Sequence, residues 1–168
     1  MTRPLRPRAL TAAAFAPFGA PIAIGSGPSR PVNGGRATRH DDIVAFDRAE
    51  DAPEARLALY RIAPSPRPFA IDVLERHPRS SQSFTPIVAR DYLVVVAPSG
   101  PDGAPLVAEA QAFVAPAATG VHYARGVWHL PLVAFDAEAL FAMWMWEAGD
   151  GGDTEEVRLA EPLFVEGF

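Results

Sequence analysis

The sequence predicts an all-β protein, a sandwich or barrel with one short helix near its N-terminus, and three observations carry that prediction. Eighteen prolines and thirteen glycines punctuate the 168 residues, breaking the chain into segments too short for long helices. The apolar runs between them are rich in β-branched and aromatic side chains, which suit a pleated, half-buried surface. Many such runs separated by turn residues close most readily into a barrel or a pair of sheets.

The exception comes first. "LTAAAFAPFG" (10–19) reads as a helix, with Thr11 as the N-cap whose hydroxyl takes up a free backbone N–H and Gly19 as the terminator. "DDIVAFDRAE" (41–50) is compatible with helix or strand. Strands are expected over 56–62 (RLALYRI), 69–77 (FAIDVLERH), 91–97 (DYLVVVA), 111–115 (QAFVA), 126–135 (GVWHLPLVAF) and 140–146 (LFAMWMW), and "APSGPDGAP" (97–105) reads as a hairpin loop. "YLVVVA" and "ALFAMWMW" are apolar on both faces. A strand of that kind packs inward on one side and against another layer or subunit on the other, so a homodimer formed through a sheet is expected. No repeat or linker divides the chain, so one domain over 1–168 is expected, long enough to bury a core without disulfides or metals.

Composition then removes whole classes of function. Net charge is −5, pI is near 5.3, and the basic residues are scattered arginines, which argues against nucleic acid or an anionic membrane as partner. There is no lysine for a Schiff base and no cysteine for a thiol nucleophile, a thiolate metal site or a disulfide. The longest apolar runs fall short of a membrane span, and Pro4, Pro7 and Pro17 interrupt the basic N-terminus, so a cytoplasmic protein is expected. A nucleophile-elbow serine, a His-Glu-x-x-His zinc site and a dinucleotide fingerprint are all missing.

Chemistry concentrates in two stretches. In "LERHPRSSQSFTP" (74–86) and the strand leading into it, alternation puts Phe69, Ile71, Val73, Glu75 and His77 on one face and Ala70, Asp72, Leu74 and Arg76 on the other. An apolar face ending in Glu and His describes a barrel with a greasy floor and a polar mouth, where a small ligand sits. Alone, Glu75 and His77 read more simply as a solvated strand end beside an ion-paired Arg76. The second stretch, "GVHYARGVWHLP" (120–131), delivers Trp128 and His129 into another apolar strand, with Val127, His129, Pro131 and Val133 on one face and Trp128, Leu130 and Leu132 on the other. By itself His129 is a core histidine. Two of the four histidines at corresponding strand ends point instead to a shared cavity.

A third region, "VNGGRATRHDD" (32–42), forms a turn at Asn33, Gly34 and Gly35 and then presents Arg36, Arg39 and His40. It lacks the strand, Lys-Ser/Thr and helix of a phosphate loop and reads first as a solvated loop. An arginine brought over a barrel mouth is nonetheless suited to pair with a carboxylate. The aromatic "FAMWMWEAG" reads as a core or interface strand.

"LERHPRSSQSFTPIV", "DYLVVVAP" and "GVHYARGVWHLPLVAF", in this order and with "FAPFGAPI" and "VNGGRATRHDD" upstream, resemble the ureidoglycolate lyase family, often called ureidoglycolate hydrolase. The likeness covers nearly the whole chain. It implies a cupin-like β-barrel of the double-stranded β-helix type, a homodimer, and cleavage of (S)-ureidoglycolate to glyoxylate and urea in allantoin catabolism. The chain departs from the family's usual pattern at His122, where Asn is common, at Leu130, where a second His is common, and in "WEAG" and "GDTEEV" near the C-terminus.

The implied reaction needs a base for the hydroxyl proton, an acid for the departing urea nitrogen and a holder for the carboxylate. His77 is the expected base, because imidazole titrates near neutrality, and Glu75 or His129 would orient it or act as the acid. Arg39 or Arg76, with Ser81 and Gln82, would hold the carboxylate and ureido group, and Tyr123, Trp128 and Asn33 complete the expected substrate-binding set. Strand parity opposes Arg76 to His77, which makes Arg76 structural unless the chain twists there. The resemblance also brings a divalent metal, nickel, as a possible cofactor. The residues alone define no firm ligand set, since no histidine stands two positions before His77. Two other readings stay open: a metal-assisted cupin acting on another small hydroxy or ureido acid, and a non-catalytic barrel that binds a small acid or sugar.

Overall fold

The computed structural model describes residues 4–168. Strand β1 (Arg8–Ala9) leads into α1 (Ala12–Phe15), a single turn whose N-cap is Thr11, its hydroxyl accepting from the Ala14 N–H at 3.2 Å. The helix is shorter than the sequence implied because Pro17 has no N–H to continue the ladder. Gly19 does not terminate it. With φ of +143°, Gly19 opens β2 (Gly19–Ile22), and a Cβ there would lie 1.9 Å from the His122 carbonyl oxygen, so the position excludes a side chain.

β3 (Ser29–Val32) and β4 (Ala37–His40) form a separate hairpin around a turn at Asn33–Gly35, where Asn33 and both glycines have positive φ. The ambiguous 41–50 segment forms neither helix nor regular strand and bridges at Arg48 to Ser80. There follow β5 (Glu54–Ile62), β6 (Ala70–Arg76), β7 (Gln82–Val88), β8 (Tyr92–Ala97), β9 (Gln111–Ala115), β10 (Gly120–Tyr123), β11 (Trp128–His129), β12 (Ala139–Glu147) and β13 (Glu155–Phe164). β5, β6, β8, β9 and β12 fall within about two residues of expectation, the usual slack in strand ends. The run expected over 126–135 forms a ladder only at Trp128 and His129, with one isolated bridge from Ala134 to Pro64, because Pro131 lacks the donor a continuing ladder needs.

The nesting of the strand pairs defines the architecture. β5 pairs with β12, β6 with β11, β7 with β10 and β8 with β9, all antiparallel. Eight strands folded back on themselves in this way form a double-stranded β-helix, the barrel that was expected. One sheet runs β2-β10-β7-β12-β5 and the other β1-β9-β8-β11-β6-β13.

Between the sheets lies an apolar interior that includes Phe15, Phe84, Phe113, Val121, Phe141 and Met143. A second cluster, including Ile71, Leu74, Leu93, Val95, Trp128 and Leu163, covers the back of the six-stranded sheet. Every residue of β8 is therefore buried: Val94 and Val96 point inward, while Leu93 and Val95 point to the back. On β12 the burial alternates, with Phe141, Met143 and Met145 inside and Trp144 outside and 44% exposed. β6 corrects the expectation of a single unbroken face from Phe69 to His77. Ile71 and Leu74 are three residues apart yet share the back cluster, and the register of β13 against β6 shifts between Arg158 and Leu163. The resulting irregularity swaps the faces partway along the strand.

Candidate active site

The shortest strand positions the site. β11 lies between β8 and β6, with His129 in register with Val96 on one side and Glu75 on the other, so His129 and Glu75 share the inward face. His77 follows the end of β6 and is held there by the Gly126 N–H, which donates to its carbonyl oxygen at 2.9 Å. The His77 and His129 rings lie 5.3 Å apart between centroids, and the ligating atoms of Glu75, His77 and His129 all fall within 4.8 Å of one another. The two imidazoles from distant parts of the chain do converge.

From the facing sheet, Tyr123 stacks on His129 at 4.1 Å with its ring nearly parallel, and Gln82 is in register with Tyr123. Gln82 also places its amide nitrogen 3.7 Å from the Met145 sulfur. Two backbone carbonyls fix the imidazole tautomers. His129 Nδ1 lies 2.9 Å from the Val127 oxygen, and His77 Nδ1 lies 3.1 Å from the Asp153 oxygen, with the Thr154 hydroxyl at 3.2 Å. A carbonyl can only accept, so these bonds assign an N–H to each Nδ1 and turn each Nε2 toward the cluster.

Those two nitrogens are without partners. Nε2 of His77, Nε2 of His129 and Oε1 of Gln82 are buried without hydrogen-bond partners. The Glu75 carboxylate approaches His129 Nε2 at 3.3 Å but not in hydrogen-bond alignment. Buried acceptors left unpaired cost free energy, and in native proteins they call for an explanation. Three unpartnered buried polar atoms gathered about a carboxylate leave bonding capacity for a guest that supplies positive charge or several polar hydrogens.

Electrostatics tune the cluster. Burial, followed by the neighbouring His129, holds His77 below the ordinary imidazole value against the opposing pull of the Asp153 carbonyl and Glu75. For Glu75, burial pushes upward, but the adjacent His129, and then His77 when it takes up a proton at acid pH, bring the carboxyl net below its usual range. At neutral pH the site therefore presents an uncharged His77 and an ionised Glu75. Glu75 keeps 16% of its side chain exposed, so the cluster reaches solvent at its carboxylate.

His122 belongs elsewhere. It alternates with Tyr123 and faces outward, where its Nδ1 lies 2.7 Å from the Ser83 hydroxyl and burial lowers its pKa. The consequence for stability has a definite sign. His77 and His122 both titrate lower in the folded chain than their ordinary 6.5, so below about that pH the unfolded chain binds protons the native one does not. Stability is then full above pH 6.5 and lost as pH falls towards the folded values. The Glu75 contribution is present above its ordinary 4.5 and disappears only below it. A melting curve taken from pH 7.5 to 5 is expected to fall below 6.5, less steeply in His122→Asn; a flat profile contradicts the assignment.

The remaining expected residues divide by location. Arg76 bonds Glu155 and the Gly103 carbonyl and lies over the Trp128 ring at 4.7 Å, while the Trp128 indole N–H also donates to Gly103. Both are behind the sheet, as strand parity required for Arg76. Ser81 is buried and exchanges hydrogen bonds with the Asp47 backbone, tying the 41–50 segment to the barrel. Asn33 and Arg39 are exposed on the β3–β4 hairpin, where Arg39 pairs with Asp41. The structure thus brings together Glu75, His77, Gln82, Tyr123 and His129, and not Asn33, Arg39, Arg76, Ser81 or Trp128. Sequence reasoning missed Asp153 and Thr154, which orient His77 from more than seventy residues away. One acts through its backbone carbonyl, which no side-chain pattern reveals.

A double-stranded β-helix with two histidines and a glutamate converging on its inner wall defines the cupin class of small-molecule enzymes and binding proteins. Within it, the sequence model of the ureidoglycolate lyase family matches residues 2–166. The chain belongs to that family. It is 40% identical over 156 residues to a ureidoglycolate lyase of Burkholderia mallei, covering 93% of this chain and 89% of that protein. Over 165 residues it is 39% identical to the ureidoglycolate lyase of Agrobacterium fabrum, with 98% and 97% covered, and over 147 residues 36% identical to that of Pseudomonas syringae pv. tomato, with 88% and 85% covered. Among solved structures, an oxalate decarboxylase formate complex from Lactobacillus farciminis is similar with a TM-score of 0.42 and 15% identity, over 84% of this chain and 33% of that one. No helix of the described residues is long and apolar enough to cross a membrane.

Proposed function

We propose that this protein is a carbon–nitrogen lyase that cleaves (S)-ureidoglycolate to glyoxylate and urea in purine catabolism. Family membership supplies the substrate class, and the cluster of unpartnered buried polar atoms carries the reading, because ureidoglycolate offers a hydroxyl and several N–H groups to the atoms that lack partners. The carbinol O–H proton passes to His77 Nε2, the O–H electron pair becomes the new carbonyl, the C–N bond breaks with its electron pair going to nitrogen, and the urea nitrogen takes that proton back from the imidazole. The Asp153 carbonyl keeps His77 Nδ1 protonated, so Nε2 is the basic atom and lies within the Glu75–His129 cluster. Gln82 Oε1 accepts from the ureido N–H groups, Tyr123 holds the plane of His129, and Glu75 with His129 stabilises the proton in transit. Racemic ureidoglycolate, assayed separately for glyoxylate, urea and ammonia against a no-enzyme control, tests the proposal. Glyoxylate with urea supports it; ammonia in place of urea overturns it.

The same atoms fit a divalent cation. Glu75, His77 and His129 supply a carboxylate and two Nε2 lone pairs, each ring oriented by a carbonyl on its far nitrogen as ligating histidines are. Such an ion would polarise the carbinol oxygen as a Lewis acid. His77 would then serve as ligand rather than free base. Elemental analysis of protein purified without added metal, with activity measured before and after chelation, separates the roles: near-stoichiometric metal and chelator-sensitive activity are expected for the ligand role, and full activity without metal for the base.

The outward face of the five-stranded sheet supports a homodimer. Registered across it lie His122, Ser83, Trp144 and Leu57, with Ala142 beside Leu59 in the next row. Leu57, Leu59, Val88 and Trp144 are exposed, forming the kind of contiguous apolar patch that marks association. Trp144→Glu is expected to convert a dimer to a monomer by light scattering; a parent protein that is monomeric at micromolar concentration contradicts this. The family's small-molecule substrate favours the cytoplasm as its location.

A further inference from the structure

The site has acceptors in place, but none of its residues described so far is a cation able to hold the substrate's carboxylate. Arg39 and Arg76, the arginines the sequence offered, face other surroundings. We propose that Arg56, on the inward face of edge strand β5, is the carboxylate anchor, an inference that rests on the ureidoglycolate reading of the same site.

Register places it there. Tyr123 pairs with Gln82, Ser83 with Trp144, and Met145 with Arg56. Gln82 therefore neighbours Met145, as their 3.7 Å contact confirms. Residues in register across a sheet share a face, so Tyr123, Gln82, Met145 and Arg56 form one row. Its direction is set by Tyr123, which stacks on His129, and by Met145, which is buried in the interior cluster. Further along β5 the same face carries Ala58, packed against that cluster, and Tyr60, edge-on to Phe84 at 5.4 Å. Two strand spacings, about 10 Å, separate the Gln82 and Arg56 backbones, a span that an arginine side chain and a small acid fill together.

A second line of observation agrees. Asp153, whose carbonyl orients His77, and Glu147 act electrostatically on the Arg56 guanidinium, while Glu75 and Glu147 act on the neighbouring Tyr60 phenol. Arg56 lies at the edge of the sheet, where its side chain is 46% exposed and within electrostatic reach of the residue that orients His77. Glu147 receives its Nε at 3.0 Å and Glu54 one terminal nitrogen. These bonds hold the planar group in place and leave Nη1 outside both pairs. An anion entering past Glu54, Glu75, Glu147 and Asp153 needs a positive charge to meet it, and guanidinium matches carboxylate geometry better than any other side chain.

Steady-state kinetics of the parent, Arg56→Ala, Arg56→Lys and Arg39→Ala on ureidoglycolate test this, with oxamate as a carboxylate inhibitor and urea as a neutral one. Arg56→Ala is expected to raise KM about tenfold or more with kcat within about threefold, as loss of a charge-assisted hydrogen bond predicts. It should weaken oxamate in parallel and leave urea unchanged. Arg56→Lys should recover part of the loss, and Arg39→Ala should match the parent. KM and oxamate inhibition within about twofold of the parent in Arg56→Ala overturn the proposal, and so does equal weakening of oxamate and urea. Failure of the parent to turn over ureidoglycolate strikes the function itself and is read from the same experiment.

Discussion

His77→Ala is expected to lower kcat for ureidoglycolate by about 100-fold or more, the usual contribution of a positioned general base. The expectation rests on His77 being the most completely prepared group in the site. Its Nδ1 is bound to the Asp153 carbonyl, its Nε2 is buried and unpaired, and its pKa is held down by burial and by His129. A base needs its lone pair free at working pH and aimed at the reacting proton, and these contacts meet both conditions. Truncation also removes an unpaired buried acceptor, so the melting temperature should change little compared with the loss of rate. His122→Ala is the matched control, since that imidazole is nearly as buried but faces the other side of the sheet; its kcat should stay within a few-fold of the parent. A His77→Ala rate within about tenfold of the parent would show that neither proton transfer nor ligation depends on this ring.

Phe141→Ala is expected to cost about 3–5 kcal/mol of folding stability, the range for removing a large aromatic from a packed core. Phe141 is fully buried, meets the Tyr92 ring edge-on at 5.0 Å, and sits on the strand that joins β7 to β5. Its loss therefore opens a cavity between the two sheets. Trp144→Ala, three residues on and facing outward, should cost far less in the isolated chain. Denaturant unfolding of both variants decides the matter; a Phe141→Ala cost below about 1 kcal/mol would mean that the sheets do not meet through this residue.

Apolar side chains on both faces explain which strands were legible. "YLVVVA" reads plainly because both faces of β8 are buried, and so does "LFAMWMW", where the core takes one face and the exposed sheet surface the other. β7 was hidden by Pro86, which the sheet accommodates beside the register shift at Leu140 and Phe141, and β13 by its charged residues, which face solvent. "GVWHLPLVAF" misled in the opposite sense. Its apolar side chains do go inside, as Leu130 and Val133 show, but Pro131 prevents the ladder.

Glu75, His77 and His129 were recognisable from sequence because two of the four histidines, one beside a glutamate, stand in otherwise apolar strand segments. Arg39 and Arg76 were not separable from Arg56 in the same way. An arginine's chemistry is visible in one letter, but its direction depends on which strand lies beside it, and Arg56 on β5 is in register with Met145 on β12, far along the chain.

By itself the sequence determined the class of fold, the exclusion of lysine and cysteine chemistry, and the family, because these follow from local residue choice and from the order of the segments. Only the tertiary structure decided which side chains meet. That outcome depends on strand register, on the slip between β6 and β13, and on the carbonyls of Val127 and Asp153 that set the two imidazoles. Long-range pairing and backbone acceptors leave no mark in the residue alphabet, and here they convert two separate histidines into one site.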